Sequence, residues 1–171
     1  MKTSDIVTER LIIKSMTIDD TAIAWSFWGD HEVGKYLADP YYKDADELRE
    51  LILDIDDWTG DYPFIAYLKD TGEAAGTCSV GPEGGPNQWG FGYCVRKDLW
   101  GQGYATEMAR AMIGLAYSLG IRDFQGTVAT ENTASGRVME KCGMHLDHES
   151  SFRKRGTDIV YPSSIYKMHL N

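Results

Sequence analysis

Trp100-Gly101-Gln102-Gly103-Tyr104-Ala105-Thr106-Glu107 is the stretch that decides the fold. Before it, Gln88 to Val95 places Trp89, Phe91 and Tyr93 at every second position, the period of a half-buried strand. After it, Ala105, Met108, Ala109, Met112, Leu115, Ala116 and Leu119 keep the spacing of one helix face, and Gly120 ends the run. A strand that runs into glycines, followed at once by a helix, exposes unpaired backbone N–H groups where the helix dipole favours negative charge. A phosphate or pyrophosphate suits such a position. Gly101 and Gly103 carry no side chain to hold it off, and Ala105 is small.

Two familiar nucleotide loops fit poorly. A Walker loop needs a lysine after its glycines, and none follows here. A dinucleotide loop has a further Gly or Ala where this chain has Thr106, and it opens a βαβ unit early in the chain. Here the loop lies past the middle.

The same rules lay out the remaining elements. Arg10 to Lys14 reads as a first strand, and Asp19-Asp20 opens a helical stretch carrying Ile23, Trp25, Phe27 and Trp28. Asp44 to Leu53 predicts a second helix: Asp44 caps it, Glu47 takes the capping-box position, and Leu48, Leu51 and Ile52 share a face. Phe64–Leu68 and Ala75–Val80 form a hairpin about Asp70-Thr71-Gly72, and Gly81 to Asn87 reads as a Gly/Pro-rich loop. Phe124 to Thr130 is a strand, and Ala134 to Cys142 a short helix stopped by Gly143. Final strands fall near Leu146–Phe152 and Ile159–Leu170, with Pro162 requiring an edge or a bulge. No repeat or linker divides residues 1–171, which read as one domain of mixed α/β (α+β) type.

Composition narrows the function. Lys plus Arg is 17 and Asp plus Glu is 26, a net charge of −9, which argues against a nucleic-acid binder. No apolar run approaches a membrane span, and the start has no signal-peptide core. Cys78, Cys94 and Cys142 form no Cys-x-x-Cys pair, so neither a zinc ribbon nor a disulfide framework is expected; cytoplasmic residence is the default. His31, His145, His148 and His169 show no metal-ligand spacing, and no metal is expected.

At Trp100-Gly101-Gln102-Gly103-Tyr104-Ala105 the chain resembles the acyl-CoA loop of the GNAT superfamily, with Trp100 in place of Gln or Arg. Asn132-Thr133-Ala134-Ser135 and Glu140-Lys141-Cys142-Gly143-Met144 look like that family's second signature. The pairing of Trp-Gly-x-Gly-Tyr-Ala-Thr-Glu with Asn-x-x-Ser, and the opening Glu9-Arg10-Leu11, resemble the branch containing the ribosomal-protein N-terminal acetyltransferases. The resemblance implies a mostly antiparallel sheet of about seven strands with about four helices, splayed at its central strands. It implies an N-acetyltransferase that uses acetyl-CoA as cosubstrate. Pantetheine would pair with Tyr93, Cys94 and Val95. The pyrophosphate would rest on Gly101, Gln102, Gly103, Tyr104, Ala105 and Thr106, and Asn132 would bond a pantetheine amide. The Val95 N–H would meet the thioester oxygen. Arg96, Lys97, Arg137 and Lys141 are candidates for the phosphates or for a solvated face.

Direct attack on a thioester requires a deprotonated amine, a donor to the carbonyl oxygen and a proton for the thiolate. The tyrosine that many GNAT enzymes use for the last task is Met139 here; the resemblance to the branch with Asn-x-x-Ser implies Ser135 as the acid instead. The glutamate that protein-terminal acetyltransferases often use as base is Thr127 here; Glu131 stands beside the site or simply favours the start of the next helix, a water-mediated route is equally open, and no base is assigned. A cysteine route through Cys94 lacks a partner by spacing. The acceptor is a small-molecule amine or a protein N-terminus, with no nucleic acid or membrane partner, and the chain acts as monomer or homodimer. A catalytically silent acyl-CoA-binding module and a nucleotide-binding regulator are the competing readings. Asp39, Asp44, Asp46, Asp54, Asp56, Asp57, Asp61, Glu47 and Glu50, interleaved with Trp25, Trp28, Tyr36, Tyr41, Tyr42 and Trp58, would gather a cationic acceptor or form solvated helix faces over core aromatics.

Overall fold

The alternating apolar runs pair off into one eight-stranded sheet. The computed structural model describes residues 3–55, 61–85 and 87–171. Its strands are β1 (Ile6–Val7), β2 (Leu11–Ser15), β3 (Tyr62–Leu68), β4 (Ala74–Gly85), β5 (Gln88–Val95), β6 (Asp123–Ala129), β7 (His145–Arg153) and β8 (Val160–His169). The helices are α1 (Thr21–Trp28), α2 (Ala45–Ile55), α3 (Tyr104–Ser118) and α4 (Thr133–Lys141). Strand order is β1-β2-β3-β4-β5-β6-β8-β7, and every neighbouring pair is antiparallel except β5 and β6.

That parallel pair sets up the site. Only Gln88↔Asp123 and Trp89↔Phe124 are in register; beyond them β5 and β6 part, so the sheet splays at its centre. The loops that follow these two strands lead into α3 and α4. Both helix N-termini therefore stand at the open end of the gap, where parallel sheets hold ligands.

Helices cover both faces. Met108, Ala109, Met112, Ile113 and Ala116 of α3 bury against Phe91, Val95, Leu99, Phe124 and Val128, with Met139 of α4 in the same cluster. On the opposite face Ala24 of α1 and Leu48 and Ile52 of α2 pack with Met16 and Ile65. Trp28 docks α1 onto β4 by donating its indole N–H to Thr77 Oγ1 at 2.9 Å. Lys154, with 1% of its surface exposed, donates to the Gly34 and Leu37 carbonyls, both at 2.9 Å, and pins the 29–41 segment against the β7–β8 hairpin.

Three expectations change. The strands number eight rather than about seven, because the short edge strand β1 pairs with β2 at Ile6↔Ile13 and Val7↔Ile12; two residues carry too little alternation to be read. The stretch Gly81–Asn87 is not a plain loop, since β4 continues to Gly85. Gly81↔Gly90, Pro82↔Trp89 and Gly85↔Gln88 are paired, with a register shift that absorbs Gly84 at φ 83°. Pro162 lies neither at an edge nor in a bulge, for β8 is interior and its shift falls at Leu146/His148. Its carbonyl accepts from the Thr130 N–H at 2.8 Å. The missing donor thus faces Thr130, just past the end of β6, so only the terminal bond of that ladder is forgone.

Candidate active site

The gap between β5 and β6 can be built from backbone upward. Arg96 N–H donates to the Ala75 carbonyl of β4 at 2.8 Å. Backbone groups alternate sides along a strand, so Cys94 also faces β4, while the N–H and C=O of Val95 and Tyr93 face the gap. The Val95 carbonyl is taken by the Trp100 indole N–H at 2.7 Å. The Val95 N–H and both Tyr93 groups remain for an incoming strand-like ligand. Trp100 thus folds the glycine loop back onto β5, a role its place before Gly101 did not disclose.

The loop is held open by backbone geometry. Gly103 is the N-cap of α3 at φ 87° and Gly101 has φ 75°, a left-handed region that side chains strain. With glycine as cap, no side chain competes for the first N–H groups of α3. Arg10, just before β2, clamps the loop: Nη1 donates to the Gln102 carbonyl at 2.9 Å, and the guanidinium stacks 4.0 Å over the Tyr104 ring. Glu107 in the first turn accepts from Thr8 Oγ1 at 2.6 Å, and from Arg10 N and Nε at 2.7 Å each. Burial pushes the Glu107 carboxyl up, but those hydrogen bonds outweigh it and hold it below the usual range. A groove beside the loop is lined by Gly103, Thr106, Arg110 and Lys141. Arg137 is exposed, and Arg96 and Lys97 are engaged by Glu73, Asp98 and Glu32.

Across the gap, Asn132 is the N-cap of α4, its Oδ1 accepting from Ser135 N at 3.2 Å. The cap occupies the oxygen and leaves the amide donor for a ligand. Ser135 Oγ shares a 2.6 Å hydrogen bond with Tyr93 OH, which ties the two walls together on the α3/α4 face. Burial pushes the Tyr93 phenol up to about 12, against the Ser135 bond, so it stays protonated at neutral pH. Tyr93 was expected for its backbone only; its hydroxyl cannot be foreseen from spacing, since it meets a helix far along the chain. Met139 is buried under β6 against Gly126. Burial pushes the Cys94 thiol up to about 12, which suits an inert core thiol.

The opposite face holds a carboxylate that the sequence did not single out. Glu83 of β4 reaches over β5, and Thr127 Oγ1 of β6 donates to its Oε1 at 3.2 Å. Burial pushes the Glu83 carboxyl up, with hydrogen bonds to Thr127 and Gln125 opposing. Of the acids expected to gather an acceptor, Asp39 pairs with Arg155, Asp44 caps α2 through Glu47 N at 3.0 Å, and Asp46 and Glu50 are exposed. Among the aromatics Tyr41 stacks on His31, 4.3 Å between centroids. Among the described residues these groups do not gather into one site. Asp56, Asp57, Trp58 and the Asp54 side chain lie outside the described residues. Glu131 accepts from Tyr36 OH at 3.4 Å and lies 4.0 Å from Lys35. Among the described residues no group of three or more His, Cys, Asp or Glu could hold a metal ion.

A splayed sheet whose free strand edge ends in a glycine loop is the frame of an acyltransferase of the GNAT kind. A family model for the acetyltransferase (GNAT) domain matches residues 10–145, and the chain belongs to that family. An uncharacterized N-acetyltransferase named p20 from Bacillus licheniformis is 28% identical over 158 residues, covering 85% of this chain and 88% of its own. The crystal structure of a GNAT-family acetyltransferase from Bacillus anthracis superposes with a TM-score of 0.83 at 22% identity, covering 96% of this chain and 98% of its own. Spermidine N-acetyltransferase from Vibrio cholerae, solved with CoA and spermine, gives 0.78 at 17% identity, covering 95% and 96%.

Proposed function

We propose that the protein transfers the acetyl group of acetyl-CoA to a primary amine by direct attack, working as a single domain in the cytoplasm, as monomer or homodimer. The acceptor is a small-molecule amine or a protein N-terminus. The observation that carries this reading is the free edge of β5, with Tyr93 and Val95 backbone groups facing the gap and a side-chain-free loop at the start of α3. The chain's own groups fit an acyl-CoA laid along it. Gly101 to Thr106 would receive the pyrophosphate, the Val95 N–H and the Tyr93 backbone would hold the pantetheine and the thioester oxygen, and the Asn132 amide would bond a pantetheine carbonyl. Acetyl-CoA supplies the activated acyl group. Ser135, backed by the Tyr93 phenol, would protonate the departing sulfur.

That hydroxyl pair favours turnover over a silent binding module, because a pure binder has no use for a proton donor set at the gap. Three free cysteines, two of them buried, suit a reducing compartment. The test is turnover of acetyl-CoA with a panel of amines, followed by thiol release. Binding without product would leave the silent module standing, and absence of binding by folded protein would remove both readings.

A further inference from the structure

On the α1/α2 face of the gap the chain has cleared a path for one carboxylate. Gly81 and Gly90 face each other across the β4–β5 ladder. A Cβ at Gly90 would come within 1.7 Å of Glu83 Oε2, and one at Gly81 within 1.8 Å of Asp61 Oδ1. Two carboxylates therefore lie over two glycines whose Cβ positions would be roughly 5 Å apart. Gly92, the next residue of β5 on that face, is also without a side chain. Glu83 can thus cross the whole width of β5 and reach Thr127 on β6. Counting on from Trp89↔Phe124 sets Thr127 level with Gly92, beside Tyr93.

Neither carboxylate has an ion-pair partner among the described residues. Glu83 is half-buried and Thr127 is exposed, so the pair sits at an open mouth. The next residue pair on that face, Ala129↔Ser163, carries the single buried side-chain polar atom without a hydrogen-bond partner among the described residues, Ser163 Oγ. A face with two carboxylates that have no ion-pair partner among the described residues, and an unsatisfied hydroxyl beside them, suits a polar, cationic visitor. The Ser135–Tyr93 pair lies on the other face of the same gap.

We propose that Glu83 is the catalytic base of this enzyme, taking the proton from the acceptor's ammonium group before attack, and that Asp61 helps hold that cation. The inference rests on the amine-acetylating reading above. Glu83 takes one proton from the ammonium, and the nitrogen lone pair forms the C–N bond. The C–S bond breaks with its electrons on sulfur, which is protonated by the Ser135–Tyr93 pair. The second proton shed by nitrogen restores that pair, and Glu83 returns its proton to solvent. The glutamate missing at position 127 is thereby replaced in space from a different strand.

The experiment compares wild type, Glu83→Gln and Glu83→Asp at saturating acetyl-CoA, with an alkylamine found as a substrate and with hydroxylamine, which is unprotonated at neutral pH. For Glu83→Gln the expected loss in kcat is about 100-fold with the alkylamine and slight with hydroxylamine, with acetyl-CoA affinity unchanged. Glu83→Asp, whose shorter arm still carries a base, should recover part of the rate. Equal losses with both nucleophiles, or no loss with the alkylamine, would overturn the assignment while leaving acetyl transfer intact. A wild type that binds acetyl-CoA and acetylates no amine would overturn both. Should Glu83→Gln not fold, Glu83→Asp read against the two nucleophiles decides alone.

Discussion

Ser135 and Tyr93 share a 2.6 Å hydrogen bond, so in the proposed mechanism neither hydroxyl acts alone. Ser135→Ala should lower kcat about 100-fold while acetyl-CoA affinity holds, because the lost interaction acts on the leaving sulfur. Tyr93→Phe should show the same pattern. The double variant should be no slower than the slower single one, since groups acting as a unit are not additive; losses that multiply would separate their roles. Asn132 has two jobs that can be split. Asn132→Ala should cost about 1 kcal/mol of stability through the lost cap and also weaken acetyl-CoA binding. Asn132→Ser should restore the cap and leave the binding defect. Equal binding by Asn132→Ser and wild type would make Asn132 a cap and no more.

The glycine loop is held in place by its neighbours. Gly103→Val strains a φ of 87° at the α3 N-cap and should weaken acetyl-CoA binding with little change in kcat at saturation. Glu107, whose carboxyl is held low, stabilises the Thr8–Arg10 clamp above the ordinary glutamate range near pH 4.3. That contribution fades as pH falls through the lowered folded value. Glu107→Gln should therefore melt earlier than wild type at neutral pH, and the gap should close in acid; a constant gap would show that the carboxylate charge is irrelevant. The loop, the strand before it and the helix after it were legible because their signals are local: glycines, alternation and helical spacing within one stretch. Arg10 was visible only as part of a motif. Its clamp on Gln102 and Tyr104 joins residues ninety-odd positions apart, and local patterning does not encode such a meeting. The Gly81–Asn87 stretch misled for a related reason. Its glycines read as a turn signal, yet Gly81 leaves room for Asp61, just as Gly90 on the facing strand leaves room for Glu83.

At the scale of the molecule, the two faces of the sheet beside the splay of β5 from β6 carry different groups. The α3/α4 face carries the loop, the Asn132 cap and the Ser135–Tyr93 pair; the α1/α2 face carries Glu83 and Asp61. The two-sided division was not legible in the sequence, because which face a carboxylate occupies depends on strand order and register. A ligand that spans the gap ties β5 to α4 and should stabilise the whole fold. Acetyl-CoA at about one hundred times its Kd should add roughly 2.7 kcal/mol, seen as a clear rise in Tm. No rise with folded protein would mean that the gap does not hold it. The most direct measurement follows acetyl-CoA and a panel of primary amines with the wild-type enzyme, reading free thiol and the mass of the acceptor together. The account expects one thiol released for each N-acetyl group gained by an amine. Bound acetyl-CoA with no acetylated amine, or thiol released without one, would contradict it.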